Sequence, residues 1–330
     1  MNQKVTPLSR NGLTRKLRNL VGNYAKRFVK LIYSLKRSPE RVPLFLCAAS
    51  SILVIFFILY SIINEGHAQI IDWFEHGFGM IWYPGLGPYG ITPFIFSTLY
   101  VGFGGAIIAL ALGLPCAIYL TEFANKRLRN VVKPALEMLT GFPSVVIGLV
   151  GFTLVCLALK ISLGGDSGQS VLAAWLVLGV MTLPTIASVS EDALRSVPQD
   201  LKEASLALGA TRWQTMIKVL LPVAAPGIMA SFLLGLGSAT GETMAVIWVI
   251  GNVFPSPPIT LNPYVPSNVL TALIANRAQG DSTYGSPEWN SMFAAAFVLF
   301  LITAIMNLAV RMVMARRGKE SGSVILTRRP

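Results

Sequence analysis

Read as hydrophobic and polar positions alone, the chain alternates long apolar runs with polar segments. The apolar runs reach roughly 20 residues, the length a helix needs to cross a bilayer core. Six spans are predicted, over residues 43–63, 95–120, 134–159, 171–190, 222–250 and 291–313. Open sheets cannot satisfy their backbone in lipid, and the runs lack the alternation of a barrel. The expected fold class is therefore all-α: a polytopic membrane protein with a six-helix domain over residues 43–317, a basic leader over 1–42 and a tail over 318–330.

One polar stretch stands out between the fourth and fifth runs: "EDALRSVPQDLKEASLALGATRWQTMIKVLLP", from Glu191 to Pro222. Pro198 and Asp200 suit a helix start. Leu201, Ala204, Ser205 and Leu208 recur at i, i+3, i+4 and i+7 and form one small, moderately apolar face. Gly209 can end the helix in a left-handed turn. Thr211 with Gln214 three residues on predicts a capping box for a second helix leading into the fifth span. An interfacial helix would carry large apolar residues opposite a cationic face. This segment is charge-balanced, which fits a knob for a protein groove better. A plain connection remains the other reading, though such connections are usually shorter.

Charge adds direction. Of the 27 Lys and Arg residues, 25 fall on one side of a six-span arrangement, and only Lys160 and Arg277 fall opposite. By the positive-inside rule both termini and the 191–221 loop are expected in the cytoplasm, with the 251–290 loop outside. The net charge of +12 is then accounted for by orientation and anionic lipid, with no nucleic acid needed. The leader reads as an uncleaved anchor rather than a signal peptide, because the first apolar run is span-length.

Chemistry is sparse. Cys47, Cys116 and Cys156 lie within spans without metal or redox spacing, and His67 and His76 have no ligand-like spacing. No phosphate-binding loop of the G-x-x-x-x-G-K-[ST] type occurs. No cofactor or metal is expected, and no catalytic residue is assigned. "GLGSATG" at 235–241 reads as a close helix-packing stretch of small residues. The segment 251–290 opens too rich in Pro for regular structure, then offers a short helix in "SNVLTALIANRAQG" closed by Gly280.

"EAS", then Gly209, then "VLLP" resembles the EAA motif of ABC importer permeases, with Glu203, Ala204, Ser205, Gly209, Val219, Leu221 and Pro222 at the motif's spacing. "YGITPFIFSTLYVGFGGAIIALALGLPCAIYLTEFA", "LRNVVKPALEMLTGFPSVVIGLVGF", "LGLGSATGETMAVIWVIGN" and "GSPEWNSMFAAAFVLFLITAIMNL" are similar to phosphate-importer permeases, and the C-type permease is closer. The resemblance implies a type I ABC importer permease fold and no enzymatic activity of the chain's own. Glu203, Ala204, Ser205, Leu208 and Gly209 would couple to a cytoplasmic ABC ATPase dimer. A second permease subunit would complete the path in the cell membrane, and an extracytoplasmic phosphate-binding protein would deliver the ion. Permeation of molybdate, sulfate or an organic solute is the alternative within this architecture. An ion-coupled secondary transporter is the alternative outside it, but the chain shows no internal repeat.

The family usually has an Arg four residues before the Glu of its G-E-T sequence. Here Ser238 takes that place, before Glu242 and Thr243. On a continuous helix an i, i+4 pair shares a face. An unpaired carboxylate at mid-membrane costs about 2.5–3.5 kcal/mol on insertion scales. Glu242, Ser238 and Thr243 are therefore expected on the translocation path, with Glu242 protonated, in water, or facing a cation of another subunit. The alternative is a structural carboxyl bonded to Thr240 or Thr243.

Overall fold

The computed structural model describes residues 41–82, 89–163, 167–254, 258–280 and 283–326. Most of the expected basic leader and the last four residues of the tail lie outside the described residues. The chain divides at Ser61 into two units, 1–61 and 62–330. The division falls inside the first helix, α1 (Arg41–His76).

Six helices are long and apolar enough to cross a membrane: Phe45–His76, Thr92–Glu122, Ser144–Ser162, Val171–Arg195, Arg212–Gly241 and Pro287–Val313. No strand occurs among the described residues. The six expected spans are present; the first runs on to His76 rather than ending at 63, and the third, fourth and fifth have boundaries that move for local reasons.

The third expected span was to begin at residue 134. Instead α3 (Lys126–Thr140) is a separate helix with no buried residue, started by Asn125, whose side chain accepts from the Leu128 N–H. Pro143 forces an extended approach, and the span begins at Ser144 with α4 (Ser144–Val150), continues through a π-helical stretch, Gly151–Cys156, and ends in α5 (Leu157–Leu163).

The fourth span, α6 (Val171–Arg195), runs past its expected end at 190. Ser170 caps its start by accepting from the Ala173 N–H. The fifth span begins earlier and ends earlier than expected. It comprises α8 (Arg212–Thr215), a π-helical stretch, Met216–Leu220, and α9 (Leu221–Gly241), after which the helix breaks.

Helix α6 packs chiefly on α2 (Thr92–Glu122) and α9. The approach to α2 depends on glycine. A Cβ at Gly105 would lie 2.7 Å from the Cβ of Leu178, and one at Gly104 would lie 2.1 Å from the Trp175 ring. Without a strong hydrophobic drive in lipid, such close backbone packing supplies the contact energy. Between α6 and α9 the hydroxyls of Ser190 and Ser231, both fully buried, bond at 2.8 Å. In the 235–241 stretch only Gly235 behaves as a packing glycine, against Ile186 at 2.7 Å; Gly237 and Gly241 face open space. Packing therefore explains one of these three glycines.

At the far end from the 196–211 hairpin, the expected short helix is present as α11 (Leu270–Ala278). Arg277 pairs with Glu288 at 2.8 Å at the start of α12 (Pro287–Leu326). Glu65 accepts from Trp289 Nε1 and Tyr284 Oη, each at 3.1 Å. The second bond holds the phenol proton and raises the Tyr284 pKa above its ordinary value.

Candidate functional site

The polar hairpin takes the form its residues predict. Helix α7 (Gln199–Ala207) follows Pro198. Gly209 closes it at φ +84°, a conformation that side chains disfavour. Thr211 then caps α8 in a reciprocal capping box: its hydroxyl accepts from the Gln214 N–H, and its own N–H donates to Gln214 Oε1 at 2.8 Å. A cluster of Ala117, Leu194, Val197, Met216, Leu220 and Ala224 seats the hairpin on α2, α6 and α9.

The faces of α7 are arranged in an unusual sense. None of its residues is buried. Glu203, Ala204 and Gly209 are exposed, and Leu208 is 89% exposed. Ser205 does not share that outward face, contrary to expectation. It is half-buried, and its hydroxyl bonds to that of Thr215 at 2.9 Å. Lys202, three residues earlier on the same stripe, reaches Glu122 at the end of α2, with Nζ 2.7 Å from Oε2. The stripe turned toward the rest of the protein is polar, and apolar Leu208 points away.

The sequence reading placed Glu191 in the loop. It instead ends up in the last turns of α6 at 1% exposure. Its carboxylate accepts from Arg129 (2.9 Å), Arg195 (3.0 Å) and Lys133 (3.3 Å). Arg129 and Lys133 come from α3, so this carboxylate binds α3 to α6. A buried charge is tolerable only when paired in this way, and removing one partner typically costs about 3–5 kcal/mol. Sequence pattern could not identify Glu191 among seven other charges in the same stretch. The available signal was its i, i+4 spacing to Arg195.

Glu242 sits at the other candidate place. Helix α9 stops at Gly241, Glu242 is extended at φ −71°, ψ 131°, and a six-residue helix, α10 (Met244–Val249), follows. Ser238 and Glu242 therefore do not occupy one face of a continuous helix, and the i, i+4 reasoning does not apply. Nor does the carboxylate bond to Thr240 or Thr243. Thr240 donates within its own helix to Leu236 O, and Thr243 donates to Gly241 O. Glu242 Oε1 accepts instead from the Ala245 N–H at 3.1 Å, satisfying an otherwise unpaired donor at the start of α10. Its backbone carbonyl accepts from Thr271 of α11 at 3.0 Å. No Lys or Arg forms an ion pair with it among the described residues. Ser238 and Gly241 are exposed beside it, and Glu242 and Thr243 are half-buried, so the break presents a small polar face with room next to it.

Helix α10 folds against α4. A Cβ at Gly148 would lie 2.8 Å from Ala245 Cα. Asn252, at φ 54°, closes this turn by donating to Ile247 O at 2.7 Å. The break is thus fixed at both ends by hydrogen bonds.

The family described as binding-protein-dependent transport system inner membrane component matches residues 109–319. The probable ABC transporter permease protein YqgH of Bacillus subtilis is 42% identical over 229 residues, 69% of this chain and 73% of that protein. The phosphate transport system permease protein PstC of Pasteurella multocida is 35% identical over 269 residues, 74% of this chain and 82% of that protein. Among solved structures, a bacterial alginate ABC transporter in complex with an alginate pentasaccharide-bound periplasmic protein superposes at a TM-score of 0.58. That match has 16% identity and covers 86% of this chain and 97% of that one. The MetNI methionine ABC transporter, inward facing, matches at 0.54 with 22% identity, over 68% and 95%.

Proposed function

The chain belongs to the family of binding-protein-dependent transport system inner membrane components and is a multi-pass ABC importer permease, and on that premise we propose that it carries inorganic phosphate as one half of a heterodimeric path. The observation that carries the cargo is sequence similarity: several phosphate transport permeases called PstC are 30–35% identical over about three quarters of this chain. The companion half is a second permease subunit. It supplies the cation that Glu242 lacks among the described residues, since two copies of this chain would set two such carboxylates near one axis, where they repel or hold a proton.

Glu203, Ala204, Leu208 and Gly209 form the surface that an ABC ATPase dimer grips, with Ser205 as its inner brace. Support comes from the outward apolar face of α7 on a rigidly capped hairpin. Both termini and the hairpin are cytoplasmic in this reading, which the distribution of Lys and Arg supports. A binding protein delivers the ion at the opposite mouth. Closure of the ATPases on ATP pushes α7 and shifts the spans between inward- and outward-open arrangements; the shift requires that ATP bind those arrangements with different affinity. ATP hydrolysis belongs to the ATPase chains.

Uptake of labelled phosphate against molybdate and sulfate, in vesicles holding the full assembly, tests the cargo. Preference for molybdate or sulfate overturns it. For the docking face, Ala204→Trp should block ATPase co-purification, because overpacking a filled groove costs about 1–3 kcal/mol, roughly a 5- to 150-fold loss of affinity. Equal recovery of the ATPase overturns that part.

A further inference from the structure

We propose that Lys202 and Glu122 are a positioning pair that passes movement of α7 to the second span. The proposal rests on the reading of α7 as the ATPase-gripped helix. The two side chains meet twice, Nζ to Oε2 at 2.7 Å and to Oε1 at 2.8 Å. The Glu122 side chain is only 6% exposed. It is the last residue of α2, the span packed most closely along α6.

Three features make this pair a joint rather than a surface ion pair. First, α7 buries none of its own residues, so its attachment to the spans depends on the polar stripe of Lys202 and Ser205. Second, a cavity of about 230 Å³ opens beside the pair, bordered by Thr121, Leu194, Gln199 and Leu220. Side chains bordering open volume can move without collision, whereas a close-packed contact would resist. Third, the neighbouring end of α6 is fixed to α3 by Glu191 and the two α3 cations, Arg129 and Lys133. A push on α7 therefore meets an anchored neighbour in α6, and the only direct ion pair from α7 among the described residues leads to the end of α2.

The mechanical role predicts a specific defect. With the pair removed, the ATPase still docks through the outward face and still hydrolyses ATP, but hydrolysis no longer moves the path. The experiment uses the whole assembly in vesicles, with phosphate import and ATP hydrolysis measured together and ATPase recovery as control. Lys202→Met and Glu122→Gln are each expected to lower phosphate imported per ATP by about tenfold, and the reversed pair Lys202→Glu with Glu122→Lys to return it within about threefold of wild type. Lys202, on the hairpin and 28% exposed, keeps the test usable if the Glu122 variant does not fold. Normal import per ATP in the Lys202→Met assembly overturns the joint, and so does failure of the reversed pair to restore it. A parallel fall of import, hydrolysis and ATPase recovery also overturns it, because the pair would then only hold the fold. Failure of the docking reading is distinct: there Ala204→Trp keeps its ATPase, whatever Lys202 does.

Discussion

Two carboxylates in this protein have opposite surroundings. Glu191 is fully enclosed and has three cations from two helices. Glu242 is half-buried at a helix break, with a backbone N–H and no cation among the described residues. The first is complete within the chain, and its energy goes into holding α3 against α6. The second has no cation among the described residues, and on the proposed reading a neighbouring subunit supplies it. Burial of a charge alone does not separate structure from function; the source of its partners does.

The largest expected effect lies at the complete site. Glu191→Ala leaves three cations facing one another and should destabilise the protein by about 3 kcal/mol. That is the low end for a broken buried pair, because the cations retain 29–37% exposure. A detergent-solubilised thermal melt reads it, and an unchanged melting temperature would mean that the cluster is not structural.

At the incomplete site the order of effects reverses. Glu242→Gln keeps the acceptor for the Ala245 N–H, so the melt should shift by less than what about 1 kcal/mol produces, while phosphate transport falls steeply. Normal transport by this variant would remove Glu242 from the path. Ser238→Arg should have the smallest effect of the three. The position is exposed next to open space. Wild-type stability and transport within about threefold are expected, because a long Arg side chain at the break can reach water or the Glu242 carboxylate. A complete loss of transport would show that the companion subunit already fills that space.

Legibility from sequence followed the type of interaction. The six spans were readable because lipid imposes length and apolarity on each run. The hairpin was readable because Gly209, Thr211 and Gln214 act within a few residues of one another. The break after Gly241 was not, since "GETMAV" contains no proline and the chain there is as apolar as a continuing helix. It depends on Thr271, 29 residues away, and on α4 packing at Gly148. Glu191 was overlooked for a similar reason: its partners Arg129 and Lys133 lie about 60 residues earlier. Ser205 departs from the single face that the apolar periodicity of α7 predicts. In this helix the inward stripe is polar, so periodicity could not say which side met the rest of the chain.

The corner at Gly209 has a consequence for binding kinetics. A side chain added at this left-handed residue would meet nothing within 4 Å, so the shape of the corner is set by the handedness of the chain and the cap at Thr211 rather than by contacts a partner must bring. A mirror-image D-alanine at 209 should keep the corner, whereas L-alanine should strain it by about 1 kcal/mol. A surface already folded before collision loses little ordering entropy on capture. Association of the ATPase with this hairpin should then proceed at the rate of oriented encounter, with no slower folding phase behind it.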